Sequence, residues 1–322
     1  MVTIKELAEK PELFTSGHRA CAGCGPAIAL RYIMKALRGP TIVTEATGCM
    51  EVVSTIYPYT AWKVPWVHTA FETAAANASG IEAAIKAMQR KNRLGYEHVD
   101  VIALAGDGGT YDIGLQALSG AAERGHDFLY VLYDNEGYMN TGIQRSGGTP
   151  HGASTTTSPA GSVIPGKVQY KKPIAEIMVA HEIPYVGTAS IGYWLDVIAK
   201  VQKGLDAKGP AFLHLFAPCP RGWRSETNKT VEIARLAVET CIFPLWEVVN
   251  GEYVLSPQSK AIALRPEKKK PVTEYLKTQR RFAHLFTPRF EYVIKEIQDD
   301  VDKHWNLLLK KCNMPVSVPL KN

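Results

Sequence analysis

Two loops in the sequence combine glycine with oxygen-bearing side chains in a spacing that suits a phosphate ligand and a divalent cation. The first, Gly106–Gly109, reads Gly-Asp-Gly-Gly and follows an apolar run at Val99–Ala105. Its glycines let a ligand approach the backbone, and the helix expected next offers free N–H groups to a diphosphate. The second, Asp134–Gly142, follows the next apolar run. Ligands of open α/β sheets bind beyond the carboxyl ends of strands, so we place both loops at one edge.

The residues of these loops provide oxygen ligands for a cation. Asp107 offers a carboxylate, Asn135 a side-chain carbonyl and the backbone near Gly137 a third oxygen, and such hard ligands suit Mg²⁺. Between Gly108 and Asn135 lie 26 residues, enough for one helix and one strand. The alternative is that Gly106–Gly109 is only a tight turn. The pattern of Gly-Asp-Gly followed at this distance by Asn resembles the thiamin-diphosphate motif.

Four of the six cysteines lie in loops that we place on the same side of the sheet. Cys21 and Cys24 form a Cys-Ala-Gly-Cys unit before a predicted helix, while Cys49 and Cys219 each follow a predicted strand. Four thiolates are what a [4Fe–4S] cluster requires. The spacing alone leaves open a redox-active pair, half of a zinc site, or a buried structural role for Cys49 or Cys219.

The elements that must position these loops alternate between strand and helix. Short runs rich in β-branched and aromatic residues suit buried parallel strands. These runs are Thr41–Ala46, Val99–Ala105, Phe128–Asp134, Ile183–Ala189 and Ala211–Ala217. Helices are predicted at Pro26–Leu37, Thr69–Gln89, Ile113–Glu123, Ile174–Ala180 and Tyr193–Leu205. The alternation predicts an α/β fold with an open, doubly wound, mostly parallel sheet.

Two segments depart from this alternation. Gly147–Lys167 is a long polar loop, and loops of this length in a compact domain are usually functional or disordered. After about residue 225 we predict a helix at Thr230–Thr240, a hairpin at Trp246–Leu255 around an Asn-Gly turn, and a final helix at Pro288–Leu309. We therefore divide the chain into a domain at 1–228, which carries the loops and cysteines above, and a C-terminal extension at 229–322. The extension is expected to pack on the domain or on partner subunits.

Composition places the chain among globular proteins. Hydrophobic residues make up 46% and charged residues 21%, and no apolar run reaches the 18 residues expected of a membrane span. Met1–Thr15 is too charged for a signal peptide, so we expect a cytoplasmic protein without a disulfide framework. Cys241 and Cys312 are then predicted to be packing residues. The net charge of +6 includes a basic run at Lys268–Lys270, but no aromatic-rich or zinc-finger pattern supports nucleic-acid binding.

Several independent motifs together resemble one family. They are Gly17–Gly25, Ala46–Cys49, Ile56–Tyr59, Gly106–Gly114 and Asp134–Gly142. Over roughly residues 15–245 the chain resembles the beta subunit of pyruvate:ferredoxin oxidoreductase (pyruvate synthase), a 2-oxoacid:ferredoxin oxidoreductase. The resemblance implies a thiamin-diphosphate-binding fold with thiamin diphosphate, Mg²⁺ and a [4Fe–4S] cluster as cofactors. It also implies oxidative decarboxylation of a 2-oxoacid, with electrons passing to ferredoxin and coenzyme A taking the acyl group in the pyruvate-type enzymes.

The resemblance implies roles for individual residues. The implied ligands of the cluster are Cys21, Cys24, Cys49 and Cys219. The implied ligands of Mg²⁺ are Asp107, Asn135 and the backbone of Gly137. Thr47 and Asn140 are the implied catalytic residues, Thr47 near the thiazolium and Asn140 facing the reacting carbon. The full set implied to bind the thiamin cofactor is Thr47, Gly48, Cys49, Gly106, Asp107, Gly108, Gly109, Asn135, Gly137, Tyr138, Met139, Asn140 and Thr141.

Partner subunits are a further implication. Thiamin enzymes need a glutamate at the aminopyrimidine ring, and the family places it on a different domain. This chain has strands for one sheet, so that glutamate belongs to another chain, and we expect partners of the alpha, gamma and delta type and an inactive isolated subunit. Two alternatives remain: the same chemistry on another 2-oxoacid, such as a branched-chain 2-oxoacid or oxalate, and a non-catalytic electron-transfer subunit. Neither nucleic acid nor a membrane is expected as a partner.

Overall fold

A mixed sheet of eight strands is the centre of the structure, a computed structural model that describes residues 3–316. The strands are β1 Thr41–Ala46, β2 Trp66–Thr69, β3 Asp100–Gly106, β4 Leu129–Asp134, β5 Tyr185–Ser190, β6 Ala211–Phe216, β7 Trp246–Val249 and β8 Glu252–Leu255. Their order across the sheet is β2-β1-β3-β4-β6-β5-β7-β8. The first six strands run parallel to one another, whereas β7 is antiparallel to β5 and β8 to β7. The predicted mostly parallel sheet is confirmed.

Helices cover both faces of this sheet. They are α1 Ile4–Glu9, α2 Gly25–Ala36, α3 Cys49–Ser54, α4 Ala74–Arg90, α5 Leu115–Glu123, α6 Ile174–Val179, α7 Trp194–Asp206, α8 Pro220–Trp223, α9 Thr230–Glu239, α10 Pro257–Leu264, α11 Val272–Leu276 and α12 Glu291–Lys311. Helix α4 packs against α5 and over β1 and β3, while α2 packs against α7. The crossover from β3 to β4 through α5 advances along the sheet, and the one from β5 to β6 through α7 returns. Because such crossovers are right-handed, α5 and α7 lie on opposite faces, as a doubly wound fold requires.

All five predicted strands are present, with ends shifted by at most two residues. Strand β2 was not predicted, because its four residues form a short edge strand that is exposed at its middle two positions. The helix predicted from Thr69 begins instead at Ala74, since Thr69 still pairs with Ala46 in the sheet. Burial explains the correct predictions: every residue of β4, β5 and β6 is buried, so these strands read as continuous apolar runs.

The C-terminal part of the chain joins the same sheet. The predicted hairpin is present, and Val186 of β5 pairs with Val248 of β7. The sheet therefore continues across the proposed boundary at residue 228, and that boundary stays a prediction. The final helix, α12, begins three residues later than predicted and buries one stripe against the rest of the molecule. Within the described part of the chain, no helix has the length and apolar character needed to cross a membrane.

The turn of the β7–β8 hairpin provides a test of the fold. Asn250 and Gly251 have φ angles of 49° and 86°, the left-handed values that a two-residue hairpin turn requires. We expect Gly251→Ala to lower the free energy of unfolding by about 1–2 kcal/mol, because a side chain destabilises this backbone region. Thermal unfolding measures the loss. Gly95→Ala, at a position with open space and no left-handed φ, is the control and should be neutral; equal losses in both variants would contradict the assigned turn.

Candidate cofactor site

Four neighbouring parallel strands end at one edge, and each leads into a segment singled out in the sequence. In sheet order these strands are β1, β3, β4 and β6. Strand β1 leads to Thr47–Cys49, β3 to Gly106–Gly109, β4 to Asn135–Thr141 and β6 to Cys219. The carboxyl edge thus brings together residues that are far apart in the chain, as predicted.

Three oxygen atoms converge between the β3 and β4 loops. The side-chain oxygen of Asn135 lies 2.9 Å from the Gly137 carbonyl oxygen and 3.0 Å from Asp107 Oδ1. If the Asn135 side-chain amide were rotated by 180°, its nitrogen could donate hydrogen bonds to both of these acceptors. A cation bound among the three oxygens would instead stabilise the present orientation of the amide. Octahedral Mg²⁺, with ligands at about 2.0–2.1 Å, holds adjacent oxygens about 2.9 Å apart. The predicted ligand set therefore has the spacing of a Mg²⁺ site.

The Asp107 carboxyl is buried with too little positive charge around it. It is 2% exposed and accepts a hydrogen bond from the Ser146 hydroxyl. Burial, together with the negative charge of Asp134, raises the pKa of Asp107 well above its ordinary value. A divalent cation bound to Asp107 would reverse this effect and favour the carboxylate.

Asp134 and Glu136, on either side of Asn135, are compensated by ion pairs. Lys171 Nζ lies 2.6 Å from Asp134 Oδ2 and 3.0 Å from Glu136 Oε1. His214 Nε2 lies 2.6 Å from Asp134 Oδ2. Burial disfavours the charged form of Asp134, but the Lys171 ammonium and His214 outweigh it and hold the pKa of this carboxyl below its ordinary value. These ion pairs therefore hold in place the loop that carries Asn135.

A residue of the C-terminal region, Arg281, also holds the Asn135 loop in place. The Arg281 guanidinium pairs with the Glu136 carboxylate and stacks 3.9 Å above the ring of Trp223. Trp223 Nε1 in turn donates a hydrogen bond of 2.8 Å to the backbone oxygen of Asn135. Lys171 and Trp223 were not singled out in the sequence. Arg281 was visible there only as half of the basic pair Arg280-Arg281, which suggested a solvated or partner-facing segment, whereas the structure buries it against Glu136.

The glycine loop after β3 is a turn of π-helix at Gly108–Asp112, followed by α5, which begins two residues later than predicted. A Cβ atom on Gly108 would lie 2.3 Å from the ring of Tyr138, whose hydroxyl donates to Asp112 at 2.9 Å. The absence of a side chain at Gly108 therefore leaves space for the Tyr138 ring of the β4 loop. Asn140 and Thr141, further along that loop, are exposed on the open side of the site.

The four predicted cluster ligands lie near one another. Burial, and then the charges of the Cys219, Cys24 and Cys21 thiolates, raise the pKa of Cys49 to about 12. Burial with the charges of Cys219 and Cys21 likewise raises the pKa of Cys24 to about 12. Gly25 N donates to the Pro218 carbonyl at 3.1 Å, which docks the first cysteine loop on the last. Across residues 3–316, no three or more His, Cys, Asp or Glu side chains are arranged to hold a single metal ion.

Met139 joins the cysteine loop to the β4 loop. A Cβ atom on Gly222 would lie 2.1 Å from Met139 Sδ and 3.4 Å from Cys219 Sγ. The thioether therefore packs directly beside the last cysteine loop. Cys241, by contrast, is buried in the core and Cys312 follows the end of α12.

Thr47 has a partner that the sequence did not indicate. His68 Nε2 lies 2.7 Å from Thr47 Oγ1, which also donates to the Thr69 carbonyl at 3.2 Å. Nearby, Glu45 is fully buried and accepts a hydrogen bond of 2.9 Å from Trp66 Nε1. Burial raises the pKa of Glu45 to about 8, so this carboxyl is neutral at pH 7. Glu45 could have been noticed in the sequence as an acidic residue inside the apolar run of β1. Strand β2 is too short to be predicted, so nothing in the sequence indicated that His68 lies near Thr47.

A cavity separate from the predicted cofactor residues lies elsewhere in the described structure. This cavity, of about 480 Å³, is lined by α6, α11 and α12, with Lys171 and His214 at its inner end. None of the predicted cofactor or metal ligands lines it.

Comparison with known proteins places these features in a family. The model of the thiamine pyrophosphate enzyme C-terminal TPP-binding domain matches residues 46–215. The pyruvate synthase subunit PorB of Methanocaldococcus jannaschii is 55% identical over 291 residues, 90% of this chain and 95% of that protein. The ketoisovalerate oxidoreductase subunit VorB of Pyrococcus abyssi is 47% identical over 293 residues, 91% of this chain and 92% of that protein.

A solved structure shares the fold. The 2-oxoglutarate:ferredoxin oxidoreductase from Magnetococcus marinus superposes with a TM-score of 0.52, covering 70% of this chain and 78% of that chain. Because the two sequences are 22% identical, this likeness is used for the fold alone.

The docking of the first cysteine loop can be tested through Gly25. A Cβ atom there would lie 2.3 Å from the Pro218 carbonyl oxygen, so Gly25→Ala should push Cys24 away from Cys219. We expect most of the iron bound after anaerobic reconstitution to be lost, as measured by iron quantification. Gly17→Ala, whose nearest atom would be 3.7 Å away, is the control and should retain iron. Full retention by Gly25→Ala would contradict the docking.

Proposed function

This chain belongs to the pyruvate synthase PorB subunits, which are 2-oxoacid:ferredoxin oxidoreductase beta subunits, and from this we propose that it carries the thiamin-diphosphate, Mg²⁺ and [4Fe–4S] site of such an enzyme. The reaction proposed is the oxidative decarboxylation of pyruvate with coenzyme A to acetyl-CoA and CO₂, with two electrons passing to ferredoxin. The observation that carries the proposal is the convergence of the cation ligands and the cysteines at neighbouring strand ends.

The thiamin cofactor, when bound, supplies the electron sink for decarboxylation. In this proposal Asp107, Asn135 and the Gly137 carbonyl hold the Mg²⁺ that neutralises its diphosphate. The backbone of Gly106–Gly109 lines the diphosphate. The close spacing of the three oxygens and the uncompensated burial of Asp107 support this assignment.

Two loops would face the reacting end of the cofactor. Thr47 and Gly48 lie at the end of β1, next to the glycine loop of β3, and are assigned to the thiazolium. Asn140 is exposed beyond the cation ligands and is assigned to the reacting carbon of the substrate. Tyr138 and Met139, in the same loop, pack against the glycine loop and the last cysteine loop respectively and so hold the β4 loop in place.

The four cysteines suit a four-iron cluster better than zinc. A cluster binds each thiolate at a different iron, so its ligands stand further apart than the ligands of one ion. The described residues contain no three-residue group suited to a single ion, yet burial and the charges of the neighbouring cysteines raise the pKa of both Cys24 and Cys49. Iron would also supply positive charge beside the partly buried thiolates of Cys24, Cys49 and Cys219.

Partner chains complete the site in this proposal. The aminopyrimidine side needs a glutamate from another domain, and the sheet described here accounts for one such domain. Beside the site, Tyr57 and Tyr59 are 94% and 77% exposed, and exposed aromatic residues of this kind are typical of interaction surfaces. The tip of the polar loop Gly147–Lys167 is also exposed and is assigned to the same interface. Coenzyme A and ferredoxin would then be bound mainly through partners.

One observation favours a second substrate class. The VorB relative, named as a ketoisovalerate oxidoreductase subunit, matches 91% of this chain at 47% identity, against 90% at 55% identity for the PorB relative. Branched-chain 2-oxoacids are therefore the second candidate. A turnover screen of the purified complex across 2-oxoacids, with and without coenzyme A, separates the two.

The cation site is tested by Asp107→Ala. The variant should lose thiamin diphosphate on gel filtration, because the diphosphate loses the Mg²⁺ that neutralises it. Thiamin content of the purified complex is the measurement. Asp206→Ala, which breaks an exposed ion pair with Arg38 at the end of α7, should retain the cofactor. Full thiamin content in the Asp107 variant would remove the assignment.

The cluster ligands are tested by comparing two cysteines. Cys219→Ser should lose iron and the broad visible absorbance that dithionite bleaches, because it removes one of four ligands. Cys312→Ser should keep both. Iron loss in the Cys312 variant but not in the Cys219 variant would show that the ligand set is wrong.

The split site is tested by reconstitution. The isolated chain should not reduce a viologen dye with a 2-oxoacid, because it lacks the activating glutamate, and adding the partner subunits should restore the reaction. Robust turnover by the isolated chain would overturn the split site and require the activating acid to be found in this sequence.

A further inference from the structure

Glu51, His68 and Thr47 form a line of polar contacts at the carboxyl end of β1. His68 Nε2 lies 2.7 Å from Thr47 Oγ1, and His68 Nδ1 lies 3.8 Å from Glu51 Oε1. Thr47 is assigned to the cofactor above, but His68 and Glu51 have no part in that proposal. An imidazole and a hydroxyl at hydrogen-bond distance can pass a proton from one to the other.

The position of His68 is set by three different elements. Its own strand, β2, pairs with β1 so that Glu45 and His68 are register partners. The Trp66 ring stacks on the His68 ring with centroids 6.2 Å apart, and Trp66 is held by its hydrogen bond to Glu45. Glu51 approaches from α3.

We propose that His68 is a positioning residue that controls the proton on Thr47 during the reaction at the thiamin site, an inference that rests on the function proposed above. As the keto carbon of the 2-oxoacid is attacked, its oxygen takes up one proton. The Thr47 Oγ1–H bond breaks as the new O–H bond forms, and His68 gives its Nε2 proton to Thr47 Oγ1. Water then returns a proton to His68, whose side chain is 44% exposed.

The first experiment uses His68→Gln in the assembled complex. A glutamine amide can still hydrogen-bond to Thr47, but it cannot titrate. We expect kcat to fall about 100-fold, a typical contribution of a positioned acid–base group, with little change in KM. The limb of the pH profile of kcat between pH 5 and 8, where histidines titrate, should disappear. Thiamin content and visible absorbance should stay unchanged.

The matched control is His98→Gln, because His98 is an exposed histidine that also pairs with a carboxylate, Asp100, but at the opposite end of β3. It should leave kcat and its pH profile unchanged.

A double mutant tests the contact between His68 and Thr47. In a Thr47→Val background, His68→Gln should lower kcat no further, since both residues act through one hydroxyl. Additive losses would show that His68 acts elsewhere.

A readout without turnover uses the full chain labelled with ¹⁵N-histidine. The pair of ring-nitrogen resonances that disappears in His68→Gln identifies His68, and Thr47→Val should shift that pair and leave the one from His98 in place. Unmoved His68 resonances, or a pH profile retained in His68→Gln, would overturn the inference. If the wild-type complex fails to oxidise any 2-oxoacid, the proposed function fails instead, while the resonance shift still reports on the contact.

Discussion

Buried negative charge at the carboxyl edge of the sheet is the constraint on which the rest of the structure depends. Asp107, Asp134 and Glu136 are all buried within two adjacent loops. Removing a carboxylate from water costs several kcal/mol unless a cation and hydrogen bonds compensate it. Lys171 and Arg281 compensate Asp134 and Glu136, and the described residues place no such ion pair on Asp107. The buried carboxylate without an ion pair is thus the one that the proposed function assigns to Mg²⁺, and the side-chain oxygen of Asn135 lies 3.0 Å from it.

The loops that carry this charge could be predicted because each follows a continuous apolar strand and has a composition suited to a close ligand. The residues that hold the loops in place could not. Lys171 and Arg281 lie 35 and 145 residues from Glu136 in the sequence, and nothing near them indicates that partner. His68 was missed for a different reason, since a four-residue edge strand is too short to show an alternation. The local sequence pattern therefore predicts which residues a loop contains, whereas contacts with residues distant in the sequence determine the conformation of that loop.

The cysteines illustrate the same division. The Cys-Ala-Gly-Cys unit was visible in the sequence, but its relation to Cys219 depends on backbone contact between Gly25 and Pro218. Gly23, with φ of 69°, and Gly25 leave no room for a Cβ atom against the segments they touch. Met139 then ties Cys219 to the β4 loop. The thiols and the cation ligands are therefore parts of one packed unit, so a shift in either loop would be felt by the other.

The position of Arg281 has a consequence for how the protein is made. The chain emerges from the ribosome from its N-terminus, so the loop around Asn135 is complete when more than half of the molecule remains to be synthesised. Until Lys171 and then Arg281 have emerged, Asp134 and Glu136 have no cation with which to pair. A nascent chain consequently passes through an interval in which its first strands can associate while the ion pairs at the carboxyl edge of the sheet have not all formed. Full pairing of Glu136 therefore has to wait for Arg281, which lies in the last quarter of the sequence.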